Sequence, residues 1–159
     1  KKNPIYIILD NVLDTYNIGS IFRLADAVAA EKVYLCGETL TPPNHRIKKA
    51  SINTWAWVNW EYTETAVEAI KKIEKLRHPE LVSGSVQVIA VEQDSRSIPY
   101  TEMKLEFPVA IVVGNETYGV SKEALKMADQ IVEIPMFGVN KSLNVMVSLG
   151  IVLFKIMEN

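Results

Sequence analysis

The sequence predicts an α/β fold with a mostly parallel sheet flanked by helices, and two observations carry that expectation. Short β-branched runs alternate with segments of helical period along the whole chain. The runs are apolar from end to end, without the polar alternation of a half-exposed strand, so each is expected to be covered on both faces. A chain of 159 residues suits one domain, here residues 1–159, with no separate nucleic-acid-binding extension.

The elements follow in order. Residues 5–9 (IYIIL) read as the first strand, ending at Asp10, and residues 19–30 (GSIFRLADAVAA) as a helix. Residues 32–36 (KVYLC) form the next strand. Thr63 is the expected cap of a helix to Leu76, with Val67, Ile70, Ile73 and Leu76 on its buried side. Residues 86–91 (VQVIAV) and 109–113 (VAIVV) are two more strands. Ser121 is an N-cap signal for a short helix to Met127, and residues 130–134 return as a strand. Residues 143–157 close the chain as a helix that is apolar on nearly every face. Such a helix is either clamped inside the fold or buried against a second subunit, and a homodimer is the natural expectation. Residues 40–49 (LTPPNHRIKK), 78–85 (HPELVSGS) and 93–107 are expected loops.

Composition excludes several function classes. There are 17 Lys+Arg against 19 Asp+Glu, a formal net charge of −2, so bulk positive charge does not drive binding to nucleic acid or an anionic membrane. Any basic patch is local. The single cysteine, Cys36, cannot form an internal disulfide, and with only two histidines no Cys-rich metal site is expected. The longest apolar stretch, residues 145–154, is interrupted by Ser148 and Gly150 and is shorter than the roughly 20 residues of a membrane span. The N-terminal KKNP leads straight into a strand pattern without a signal-like apolar segment, which points to a cytoplasmic protein.

No GxGxxG follows the first strand, and GxxxxGK[ST], GxSxG and HExxH are absent, which removes the usual marks of dinucleotide binding and nucleotide hydrolysis. Three other segments hold residues suited to chemistry. In NIGSIFR (17–23), small Gly19 and Ser20 would let a ligand approach the backbone at a helix start, where Arg23 favours an anion. The plainer reading is a capped helix with Arg23 paired to Asp26. In VGNETYGVS (113–121), Gly114, Asn115 and Glu116 fall at a strand's carboxyl end, where open α/β sheets bind ligands; otherwise they are turn residues. In IPMFGVNKSLNV (134–145), Ser142 is a candidate N-cap, and Asn144 inside so apolar a helix needs a hydrogen-bonding partner.

Together these segments resemble the three motifs of the SpoU (TrmH-like) branch of the SPOUT RNA methyltransferases. The match runs through Asn17-x-x-Ser20-x-x-Arg23, then Gly114-Asn115-Glu116-x-x-Gly119-x-Ser121, then Ile134-Pro135-Met136-x-Gly138 leading to Ser142-Leu143-Asn144-Val145. The resemblance covers the chain from about residue 5 to its end. It implies a C-terminal deep trefoil knot, a homodimer, and transfer of a methyl group from S-adenosyl-L-methionine to a ribose 2′-hydroxyl of tRNA or rRNA. It also implies cofactor contacts at Gly114, Ile134 and Leu143, with Met136 and Val145 nearby and the strand end Val91-Glu92-Gln93 lining the same pocket. Arg23 matches the family's catalytic arginine. Asn17 and Ser142 would orient the ribose and Arg23, while Glu116 and Asn144 would brace the loops. No metal is implied.

RNA would be held by Ser20 and Arg23 with a local rim of His45, Arg46, Lys48, Lys49 and Lys141, although any one lysine reads equally as a solvated charge. Residues 50–60 (ASINTWAWVNW) depart from the family pattern by carrying Trp55 and Trp57, and residues 78–85 look like an insertion. Three rival readings are a non-catalytic knotted RNA-binding module, a knotted enzyme acting on a base, and a nucleotide-dependent dehydrogenase. The intact motif residues oppose the first, the NxxSxxR motif opposes the second, and the missing phosphate fingerprint opposes the third.

Overall fold

The computed structural model describes residues 1–76 and 85–159, so the expected 78–85 loop lies outside the described residues except for Ser85. Seven strands form one sheet: β1 (Asn3–Asp10), β2 (Ala30–Cys36), β3 (Trp60–Thr63), β4 (Gln87–Val91), β5 (Ile98–Pro99), β6 (Val109–Gly114) and β7 (Gln130–Glu133). Their order is β3-β2-β1-β6-β4-β7-β5, and every pairing is parallel. The apolar runs of β1 and β6 lie at the centre, and all six residues of β6 are buried. Side chains alternate across the pleat. Ile5, Ile7 and Leu9 enter the core under helices α1 (Thr15–Ala27) and α5 (Val145–Ile156), while Tyr6 and Ile8 join the core under α3 (Ala66–Lys75) and α4 (Lys122–Met127).

Several boundaries differ from those read in the sequence. Helix α1 starts at Thr15, because Asp14 caps it by accepting from the Tyr16 N–H at 2.7 Å. Residues 17–23 therefore lie inside the helix and not at its mouth. Gly19 is small for a packing reason: a Cβ there would sit 2.5 Å from the Ala50 Cβ and 2.9 Å from the Ile47 carbonyl oxygen. Ala50 and Ile47 belong to α2 (His45–Ser51), which occupies part of the expected 40–49 loop and is capped by Asn44. The Asp26 carboxylate accepts from the Trp57 indole N–H at 2.8 Å, so it serves the wall of the fold and not Arg23.

The helix expected from Thr63 is capped instead by Thr65, whose hydroxyl accepts from the Glu68 N–H. Thr63 ends edge strand β3, which the sequence reading did not assign, and Leu76 is exposed. Two-residue β5 interrupts the expected 93–107 loop at the other sheet edge. Helix α5 starts at Val145 with Asn144 as its N-cap, so Asn144 stands at the helix mouth and Ser142 lies outside it. Its Leu149, Val152, Leu153 and Ile156 are fully buried, whereas its Val147 and Phe154 and the following Met157 are exposed.

Candidate functional site

Parallel strands deliver their carboxyl ends to one edge of the sheet, and the three motif segments meet there. In register, Asp10 of β1 stands beside Gly114 of β6, and Val91 of β4 stands beside Val132 of β7. Glu116 follows β6 directly. Its carboxylate accepts from the Leu13 N–H at 3.0 Å, the Asp14 N–H at 2.9 Å and the Asn17 amide at 3.0 Å. The Asn17 carbonyl oxygen in turn accepts from the Asn144 amide at 3.0 Å. The remaining Asn144 oxygen accepts from the Met146 and Val147 N–H groups and so caps α5.

Both side-chain polar atoms of Asn17 are thus hydrogen-bonded, as a residue only 2% exposed requires. The chain Glu116–Asn17–Asn144 is a clasp linking α1, the β6 loop and the start of α5. Burial pushes the Glu116 carboxyl up, but the Leu13, Asp14 and Asn17 donors outweigh it and hold the group below its ordinary value.

Beside the clasp opens a cavity of about 440 Å³, within the size range of small-molecule sites. Val91, Glu92, Gly114, Ile134, Met136, Leu143 and Val145 all line it. So do Glu116, Ser142 and Asn144. The lining suits a nucleoside-like cofactor: apolar side chains supply contact area. The backbone groups of Met136 and Leu143 also make no hydrogen bond to other described residues and remain open to a ligand.

The glycines here are structural. A Cβ on Gly114 would lie 2.2 Å from the Val120 backbone nitrogen, and one on Gly119, at φ +73°, would lie 1.9 Å from the Glu92 carboxylate. Glu92 accepts from the Val120 N–H at 2.8 Å and from the Gln93 N–H at 3.0 Å, so its charge steadies the turn as it lines the cavity.

The positions expected to meet RNA are distributed differently. Arg23 does not line the cavity, and among the described residues it has no ion-pair or hydrogen-bond partner. It lies on α1 about 120° around the helix from Asn17, which faces the clasp. Arg46, Lys48 and Lys141 are exposed, with Arg46 and Lys48 on α2 packed against α1. Ser20 is 8% exposed, on the same helix. Ser142 is exposed, and its hydroxyl donates to the Asn140 side-chain oxygen at 3.3 Å. Among the described residues, no group of three or more His, Cys, Asp or Glu could hold a metal ion. No described helix is long and apolar enough to cross a membrane.

Two site residues escaped the sequence reading. Asp10 is 2% exposed and accepts from the Ser121 N–H at 2.8 Å. Asn11, at φ 58°, accepts from the Asn115 amide through its carbonyl at 2.8 Å. Both tie the turn after β6 to the end of β1. The available signal was a carboxylate closing an apolar strand at the sheet's carboxyl edge.

Comparison with known proteins agrees with this geometry. The model of the SpoU rRNA Methylase family matches residues 4–154. The chain is 30% identical over 158 residues to a tRNA (guanosine(18)-2′-O)-methyltransferase of Aquifex aeolicus, covering 98% of this chain and 69% of that protein. The Thermus thermophilus enzyme of the same description is 30% identical over 155 residues, covering 98% of this chain and 75% of that one. An AdoMet-bound rRNA methyltransferase from Sinorhizobium meliloti superposes with a TM-score of 0.85 at 28% identity; it covers 99% of this chain, which spans 57% of that one. With Asn17, Glu116 and Asn144 of the three motifs joined at one sheet edge and the family match running over nearly its whole length, the chain belongs to the SpoU rRNA methylase family.

Proposed function

We propose that the protein transfers a methyl group from S-adenosyl-L-methionine to a ribose 2′-hydroxyl of tRNA or rRNA. The observation that carries this reading is the clasp: Glu116, Asn17 and Asn144 join the three motifs beside a cavity lined by every expected cofactor position. When bound, the cofactor supplies a methyl sulfonium, an electrophile that needs a correctly placed oxygen and no metal. The chain's own residues supply placement. Val91, Ile134, Met136, Leu143 and Val145 exclude water from the cavity, while the backbone of Met136 and Leu143 offers donors and acceptors. Asn17 and Glu116 are spent on bracing: they tie the loop after β6 to the start of α1 and hold Asn144 in place.

Arg23 clamps the phosphate beside the target ribose. A guanidinium with a pKa above ~12 is a poor base, so orientation of the 2′-oxygen supplies most of the rate. Ser142, at the cavity wall, helps orient the ribose, and Ser20, Arg46, Lys48 and Lys141 complete the RNA contacts. The reading extends to a homodimer with an active site shared between copies. Support comes from the exposed Val147 and Phe154 on α5 with Met157 at its end, and from the position of Arg23 outside its own chain's cavity. It further includes a deep trefoil knot in the C-terminal part and a cytoplasmic location.

Purified protein incubated with labelled S-adenosylmethionine and bulk tRNA or rRNA is expected to yield 2′-O-methylated nucleotides after digestion. Arg23→Ala is expected to lower transfer by a factor of about 100 or more with cofactor affinity unchanged, the size of effect that loss of an oriented contact produces. Cofactor binding without transfer to any RNA would leave a non-catalytic binding module instead. Methylation found on a base would replace the ribose assignment.

A further inference from the structure

Tyr118 is 87% exposed and Phe137 is 95% exposed, values that neither core packing nor the clasp explains. Each adjoins the cavity. Thr117 and Met136, the residues immediately before them, belong to its lining. Tyr118 stands on anchored backbone, and the loop of Phe137 is tied at the residues that follow it. The Asn115 side chain accepts from the Thr117 and Tyr118 N–H groups at 2.8 and 2.9 Å, and Asn115 pairs with Gly119 across the turn. On the opposite side, Lys141 donates to the Gly138 carbonyl at 2.9 Å, and the Gln93 side chain holds the Lys141 carbonyl. Four residues beyond each ring an exposed lysine follows, Lys122 after Tyr118 and Lys141 after Phe137.

The carboxylates of the cavity wall are held by donors of the fold, Glu116 by three, Glu92 by two backbone N–H groups and Glu133 by the Ser97 hydroxyl, so none of them is paired with Lys122 or Lys141. Two segments that line the cavity thus each carry an exposed ring and, four residues on, an exposed lysine, a combination that matches a ligand of planar bases on an anionic backbone.

Resting on the methyltransferase reading above, we propose that Tyr118 and Phe137 are stacking platforms for the unpaired bases on either side of the target nucleotide. The rings hold an RNA single strand across the mouth of the cavity, and Lys122 and Lys141 meet its phosphates. A second copy of the chain suits these rings less well than it suits the α5 stripe, since the two rings stand on separate loops and an exposed lysine follows each of them in the chain.

The test is retention of a labelled, unstructured oligoribonucleotide at low salt by wild type, Tyr118→Ala, Phe137→Ala, Tyr118→Trp and Tyr118→Leu. Each alanine variant is expected to bind about tenfold more weakly, the loss of one stack. Tyr118→Trp is expected to retain affinity, and Tyr118→Leu to lose nearly as much as alanine because it lacks a planar face. Cofactor affinity and oligomer mass should stay unchanged in all four. Alanine variants that bind like wild type, a leucine variant as good as tyrosine, no RNA retention by wild type, or a shift in oligomer mass would each overturn the proposal. Methyl transfer that is indifferent to both rings defeats this proposal alone. RNA retention with the stacking pattern but without methyl transfer defeats the methyltransferase reading and leaves the platforms standing.

Discussion

Asn17 and Phe137 lie near the same sheet edge, yet the chain treats them in opposite ways. Asn17 is 2% exposed and its amide is fully paired, donor to Glu116 and acceptor from Asn144. Phe137 and Val139, in the loop that leads to α5, are 95% and 99% exposed. Several hydrogen bonds of that loop run within it, between Lys141 and Gly138 and between Ser142 and Asn140. The clasp is therefore a part of the fold that the chain completes by itself, and the loop is a part shaped for something else to cover. The demand falls on Asn17, because a polar side chain enclosed at 2% exposure must find its hydrogen bonds inside the protein, whereas Glu116 and Asn144, the exposed ends of the clasp, can also turn to water. An exposed loop makes no such demand.

Four experiments can break or sharpen this contrast. Gly114→Ala is expected to have the largest effect, because the new Cβ would meet backbone atoms of Gly119 and Val120 at 2.2 Å and not a flexible side chain. Overpacking of this kind costs about 3 kcal/mol, a fall in Tm of roughly 10 °C in thermal melts. A melt within a degree or so of wild type would show that the turn gives way freely.

Asn17→Ala is expected to come next, at about 1–2 kcal/mol, since it removes the two side-chain hydrogen bonds that join Asn17 to Glu116 and Asn144, whose exposed groups can then turn to water. Chemical denaturation measures it directly. A neutral result would mean that the clasp is not under load.

The third experiment is pH. The folded Glu116 carboxyl is held below its ordinary value, so on acidification the unfolded chain takes up this proton before the native one does. The contribution of Glu116 is therefore complete above the ordinary carboxylate range and is lost as pH falls through the folded value. Thermal melts of wild type and Glu116→Gln should converge as the pH is lowered; curves that stay parallel would deny Glu116 this role.

The smallest effect belongs to the loop. A Cβ on Gly138 would meet nothing within 4 Å, so Gly138→Ala should lie within about 0.5 kcal/mol of wild type. A large destabilisation there would mean that the loop is as tightly packed as the clasp.

Much of this was legible in the sequence for identifiable reasons. Residues 5–9 and 109–113 announce central parallel strands because both faces of such strands are buried, which leaves an unbroken apolar run. The motif residues Glu116 and Asn144 were recognisable by spacing, and the cavity-lining positions at 91–92, 134–136 and 143–145 followed from the family pattern.

Helix α2 was hidden because its seven residues are too few to display a period, and TPPN before it reads as a loop. Strand β3 escaped for the same reason of length. Gly19 misled in another way. A glycine and serine next to an anion-binding arginine suggest a ligand, but the close neighbour is α2, more than twenty-five residues away in the chain.

By itself the sequence determined the order and type of the long elements, the absence of bulk positive charge and the three motif segments, because each depends on residues near one another in the chain. Only the tertiary structure decided which polar residue caps α5. Asn140, Ser142 and Asn144 all have the chemistry, and Asn144 holds the position while its amide also reaches Asn17, 127 residues away. The same holds for Asp10 and for the division between Asn17, consumed in the clasp, and Arg23, left free of partners among the described residues. Hydrogen-bond satisfaction is a property of the whole fold. No local pattern of residues could have assigned it.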